Sequence, residues 1–278
     1  YHYLICSKPR VIFDLQSLKE HNGNMSGSFI VQGETSLEKY PFSVSLPYPQ
    51  EPKNWTCDYP HNEIKVHWTR LDCYTTFIPD NYPDKIGGNS FDHLALKVLY
   101  AGKSFGKDGE RKAHHRLVSN ETLQKIQSEY SMNYPDQEIV VLFLEFRTKH
   151  ISISLPESIL PDAGIPEDSK EINRCLQGGG VPRGEAVNLT EAALIKYFQP
   201  EYNKNFKNVF PSINHESYQS LYTEKYNSIS VSTNMTSPRL ELFSDLVVAS
   251  PEHMVKYFLN EGEDNESVFD VMDRFVKP

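Results

Sequence analysis

Along roughly the first 66 residues, apolar positions come in short bursts. RVIFDLQ (10–16), GSFIVQG (27–33) and YPFSVSL (40–46) are apolar or alternating runs separated by Gly, Asn and Pro. They predict short strands joined by turns. The proline-rich PYPQEPKNW, ending at Trp55, connects them to a segment of mixed character. There IKVHWTRLDCYTTFI (64–78) reads as one strand around Tyr74 and HLALKVLYAG (93–102) as a second. The turn-rich DNYPDKIGGNS (80–90) between them predicts an antiparallel pair. GERKAHHRL (109–117) and ETLQKIQSEY (121–130) read as helices split near Ser119 and Asn120. QEIVVLFLEF (137–146) is a nearly continuous apolar run, the pattern of a central strand buried on both faces. Residues 151–187 are rich in Pro, Gly and charge and predict a long loop. In NLTEAALIKYFQPEYN, Asn188 or Thr190 caps a helix whose contacts are Ala192, Leu194, Ile195 and Phe198, and Pro200 stops it. Near the end, YNSISVST and PRLELFSDLVV predict a hairpin across NMTSP, followed by an acidic tail, NEGEDNESVFDVMDRF.

A chain of 278 residues makes one large domain or two smaller ones, and its 38% hydrophobic content is ordinary for a globular protein. No apolar run nears the roughly eighteen residues of a membrane helix, so no membrane partner is expected. The opening YHYLIC lacks the basic flank of a signal peptide. A net charge of -9 argues against a nonspecific nucleic-acid coat protein but leaves room for one local basic groove. Four cysteines, Cys6, Cys57, Cys73 and Cys175, lie far apart with no C-x-x-C pair, which points to free thiols in a reducing cytoplasm. Six N-x-S/T sequons, at Asn24, Asn54, Asn120, Asn188, Asn234 and Asn265, are a weak signal for the opposite reading, a secreted β-rich protein.

The densest chemistry lies in LYAGKSFGKDGERKAHHRL (99–117), with two Gly-Lys pairs, five Lys/Arg residues and adjacent His114 and His115. A phosphate loop of the G-x-x-x-x-G-K-[ST] kind does not fit. Gly102 to Lys107 is one residue short and runs into Asp108, and the register ending Gly102-Lys103-Ser104 has Lys97 where the first Gly belongs. A solvated basic loop accounts for the charge. It does not account for a strand that delivers Tyr100, a Gly that allows close approach, and a helix that then delivers Arg116. At helical spacing Lys112, Arg116 and Asn120 share a face.

LYAGKS resembles the Y-I-G half of the GIY-YIG nuclease motif, and EAALIKYFQPEYN resembles the closing motif of that superfamily, with Glu191 and Asn203 twelve residues apart and Pro200 three before the Asn. Tyr74 in LDCYTTF is the candidate for the first Tyr, although no Gly-Ile precedes it. The resemblance spans about 66–210. It implies an α+β fold, a small antiparallel or mixed GIY-YIG-like central sheet flanked by helices, to which the patterning adds a β-rich region at 1–65 and a β-hairpin and acidic helical region at 211–278. It also implies a metal-dependent endonuclease. Glu191 would hold one Mg²⁺ or Mn²⁺, consistent with the few protein ligands Mg²⁺ accepts. Arg116 would grip the scissile phosphate through its planar fork. Tyr74 and Tyr100 would face one another and position the attacking water, Asn203 would brace the site, and Lys103, Lys112 and Asn120 would contact phosphate. DNA is favoured over RNA, in restriction or phage defence, with the flanks free to serve a homo-oligomer or a regulatory protein partner. One departure stands out. Asn120 occupies the place, four residues after Arg116, where the family often has a His, and an amide does not accept a proton near pH 7. The alternative is therefore a catalytically silent nucleic-acid- or protein-binding module on the same fold.

Overall fold

The computed structural model describes residues 2–33, 36–51, 53–82, 94–103, 120–147, 181–208, 210–212 and 228–259. Three early strands follow the short bursts of the sequence. They are β2 (Val11–Phe13), β4 (Asn24–Gln32) and β5 (Leu37–Ser45), and with β3 (Lys19–His21) they form one antiparallel sheet. A second sheet, in the order β6-β7-β8, holds β6 (Lys53–Thr56), β7 (Ile64–Trp68) and β8 (Cys73–Phe77). The two share one core. Phe29 and Phe42 stack with centroids 4.5 Å apart, and Ile64, Val66 and Trp68 pack with them.

The sheet that matters for chemistry has the order β10-β1-β9-β12. It is built from β1 (His2–Pro9), β9 (Leu94–Lys103), β10 (Gln137–Leu144) and β12 (Leu240–Phe243). β1 is antiparallel to both β9 and β10, and β12 runs parallel to β9. Alternation along β1 divides two cores. Leu4 and Cys6 face one side, packed with Leu96, Val98 and helix α2 (Arg183–Phe198). Tyr3 and Ile5 face the other, packed with Leu99 and with Ile126 and Tyr130 of helix α1 (Glu121–Asn133). α1 starts where it does because Asn120 caps it, its Oδ1 accepting from the Leu123 N–H at 2.9 Å. α2 ends at Gln199, which takes the left-handed conformation (φ 50°), with Pro200 behind it. Beside α2, β11 (Ser228–Asn234) and β13 (Glu252–Phe258) form a two-stranded sheet. No helix among the described residues is long and apolar enough to cross a membrane.

Several expectations are corrected. The described residues are mostly strand, 46% against 20% helical, with two α-helices and four sheets; this is not the helix-flanked α+β GIY-YIG-like layout. The helical sheet also takes β1 and β12 from outside 66–210. Residues 64–78 are not one strand. Asp72 takes φ 48° in a turn that folds the run into the hairpin β7–β8, so it does not pair with 93–102. β10 is an edge strand rather than a central one, with Phe143 52% exposed; the central strand is β1, where seven consecutive residues are buried. The expected terminal hairpin is also different, because β11 pairs β13 while β12 joins the helical sheet. α2 begins at Arg183, not at 188–190. The predicted helix at 109–117, most of the 151–187 loop and the acidic tail lie outside the described residues.

Candidate active site

The open ends of β1 and β9 collect the candidate residues. The two strands pair His2 with Lys103, Tyr3 with Gly102 and Ile5 with Tyr100, but Cys6 with Val98. One residue of β9 is therefore extra, a β-bulge. Its consequence is that Leu99 and Tyr100 both turn toward the α1 side. The Leu99 carbonyl freed from the ladder accepts the N–H of Tyr202 at 3.0 Å. The bulge brings Tyr100 alongside Tyr3, with ring centroids 6.1 Å apart. Both rings close over Gly102. A Cβ there would lie 2.6 Å from Tyr3 Cζ and 2.8 Å from Tyr100 Cε1, so the Gly of Y-x-G is required by the two phenols.

The Tyr3 hydroxyl accepts from Asn120 Nδ2 at 2.8 Å. Tyr3 is buried and Tyr100 half-buried, which leaves Tyr100 as the phenol within reach of a ligand. On the other side of the strand, Lys103 Nζ lies 2.8 Å from Glu191 Oε2 and donates to Asn188 Oδ1 at 2.7 Å. Glu191 and Asn188 sit three apart on α2, on one helical face. The Glu191 side chain is 13% exposed and the Lys103 side chain 30%. Asn203 lies buried behind the strand. Its Oδ1 accepts from the Ala101 N–H at 2.8 Å and its Nδ2 donates to the Ala101 carbonyl at 2.9 Å. The amide thus acts as one more rung beside the strand that carries Tyr100, Gly102 and Lys103.

Tyr74 takes no part in this cluster and is withdrawn from it. It lies on β8, which does not neighbour β9, is 69% exposed, and stacks on His67 at 4.5 Å. The Tyr on the strand next to Tyr100 is Tyr3. Sequence patterning does not single out Tyr3, His2 or Tyr202 as site residues, and offers Asn188 only as a helix cap and a sequon. The signal for Tyr3 was present in HYLICSK, an apolar, strand-forming run led by a Tyr, hidden because nearly a hundred residues separate it from its partner strand. Arg116 and Lys112, with His114 and His115, lie outside the described residues.

As a metal ligand set, the described cluster supplies one carboxylate, Glu191, with the Asn188 amide oxygen near it. No group of three or more His, Cys, Asp or Glu residues converges among the described residues. One carboxylate and neutral oxygens fit a hydrated Mg²⁺ or Mn²⁺ completed by phosphate, and do not fit a structural zinc centre. In the structure the cationic partner of Glu191 is Lys103. No protein-family model, curated protein or solved structure matches the chain.

Proposed function

We propose that the chain is a divergent GIY-YIG-type endonuclease that hydrolyses phosphodiester bonds, with DNA as substrate and Mg²⁺ or Mn²⁺ as the metal. The reading rests on the site and not on the architecture. What carries it is the pairing of β1 with β9, which closes two phenols over Gly102 while the next residue, Lys103, reaches Glu191. Tyr3 takes the place expected of Tyr74.

Each side chain has a task in such a reaction. The Glu191 carboxylate would hold the metal. When bound, the metal neutralises phosphate charge and lowers the pKa of coordinated water. Lys103, which pairs with Glu191, would contact a phosphate oxygen once the carboxylate is engaged. Tyr100 is assigned to the attacking water by its motif alone, and Tyr3, held by Asn120, packs beside its ring. Asn203 holds the Ala101 backbone of β9 in place beside the bulge. Arg116 is assigned to the scissile phosphate by its motif alone. The free thiols Cys6, Cys57 and Cys73 support action in a reducing compartment such as the cytoplasm.

One observation favours a second reading, a silent binding module. Asn120 is committed to structure through both ends of its amide, capping α1 and holding Tyr3, and supplies no base. Cleavage assays on duplex and single-stranded DNA and RNA, with Mg²⁺ or Mn²⁺, separate the two. The nuclease reading expects metal-dependent cutting that Glu191→Gln, Arg116→Ala and Tyr100→Phe abolish or cripple. Cutting retained by all three variants refutes the site. Nucleic-acid binding without cutting by wild type establishes the module instead.

A further inference from the structure

His2 has no role in the cluster described so far, yet it is placed to control it. It is 3% exposed, at the start of β1, with Phe146 packed edge-on against its ring at 5.2 Å. Its Nε2 lies 2.9 Å from the Val187 carbonyl. A carbonyl only accepts, so Nε2 carries the proton and donates. Burial lowers the imidazole pKa to about 4, and the Lys103 charge adds to that direction. The ring is thus neutral at pH 7, and Nδ1, which has no hydrogen-bond partner among the described residues, keeps its lone pair.

The acceptor is what gives this bond its meaning. In an α-helix the carbonyl of one residue receives the N–H of the residue four later. In α2 the Val187 carbonyl therefore belongs to the turn that ends in the Glu191 N–H, and Asn188 follows it directly. His2 pairs in register with Lys103, the residue whose ammonium holds both Glu191 and Asn188. The same turn of α2 is thus held twice from adjacent positions on neighbouring strands, by its backbone from His2 and by its side chains from Lys103.

We propose that His2 is a positioning residue that fixes the Val187–Glu191 turn of α2 on the start of β1, and so sets where the Glu191 carboxylate stands. Its effect on cleavage rests on the nuclease reading; its effect on the turn does not. His2→Phe keeps an aromatic ring and removes the donor, whereas His2→Gln keeps an amide N–H at similar reach. Amide hydrogen exchange at Glu191 is expected to be about tenfold faster in His2→Phe than in wild type, and within about threefold of wild type in His2→Gln. Equal exchange at Glu191 in wild type and His2→Phe overturns the proposal. Should His2→Phe not fold, the ¹⁵N shifts of the wild-type imidazole decide. A protonated Nε2 with an unprotonated Nδ1 supports the proposal, and the opposite tautomer overturns it. With Mg²⁺ and duplex DNA, His2→Phe is expected to lose about tenfold in kcat with KM little changed, and His2→Gln to recover it. If wild type does not cut but Glu191 exchange still responds to His2→Phe, the nuclease reading fails and the positioning role stands.

Discussion

The Asn203 amide offers a sharp test, because its two bonds have opposite polarity. Asn203→Ala strands the Ala101 N–H and carbonyl in a setting where Ala101 is 1% exposed and Asn203 7%. Each buried polar group left without a partner costs about 1–3 kcal/mol, so the pair predicts a loss of about 2–6 kcal/mol. At the few degrees per kcal/mol usual for chains of this size, that is a fall in Tm of roughly 5–15 °C. Asn203→Asp separates directional bonding from mere volume. Its carboxylate still accepts the Ala101 N–H, but sets its second oxygen against the Ala101 carbonyl. Protonation restores a donor, so the folded state binds that proton more tightly than the unfolded chain and the introduced carboxyl titrates above its usual range. A group of this kind favours folding below the unfolded pKa, and the advantage is lost as pH rises through the folded one. The deficit of Asn203→Asp relative to wild type should therefore be large at pH 7 and shrink toward pH 4. Urea titrations at several pH values, with amide exchange at Ala101, measure both effects. A cost for Asn203→Ala below about 0.5 kcal/mol, with Ala101 exchange unchanged, would refute the brace.

Further expectations rest on single contacts. Gly102→Ala drives a methyl into the Tyr3 and Tyr100 rings and should cost about 1–3 kcal/mol in urea unfolding and depress any cleavage activity. Lys8, 3% exposed, bonds Asp80 at 2.9 Å and Glu138 at 2.8 Å, and both carboxylates are partly solvated. Lys8→Met should therefore cost about 2–4 kcal/mol, less than a wholly buried pair, and the loss should be read in low salt and in high salt. Tyr74→Phe should leave cleavage unchanged and stability within about 0.5 kcal/mol, whereas Tyr100→Phe should lower kcat by about a hundredfold. Because the His2 pKa is about 4 in the folded chain against 6.5 unfolded, unfolding takes up a proton between those values. Its contribution to stability is then fully present above pH 6.5 and is lost as pH falls toward 4. It is worth up to about 3 kcal/mol, and its absence in His2→Gln makes that variant less acid-sensitive in urea titrations.

Local elements were legible and long-range pairing was not. The strands at 11–13, 24–32 and 37–45, helix α1 and the stop of α2 at Pro200 follow from patterning, capping and breakers, all of which act within a few residues. Glu191, Asn203, Tyr100 and Lys103 stood out because motif spacing along the chain is visible. Tyr74 is the candidate that motif order offers because the nearest upstream strand is the natural partner of β9, and nothing in a single sequence reveals that β1, ninety residues away, takes that place. QEIVVLFLEF misled for a related reason. Apolar continuity reports burial by any cover and does not distinguish the centre of a sheet from its edge. The resemblance makes Asn120 a phosphate contact, but a cap and a phosphate contact draw on the same amide chemistry, and only the position of Leu123 and Tyr3 separates them.

The order in which the helical sheet draws its strands has a consequence for synthesis. β1 is made before both of its neighbours, residues 97–103 and 137–144. During translation this buried strand therefore leaves the ribosome without either partner, and gains the first only when residues 97–103 are made and the second only at 137–144. Such a segment is a natural binding site for chaperones, and folding that depends on such distant contacts is slow. Glu191 and Asn203 emerge later still, so a nascent chain cannot assemble the cluster, and any activity of the site is withheld until synthesis has passed residue 203.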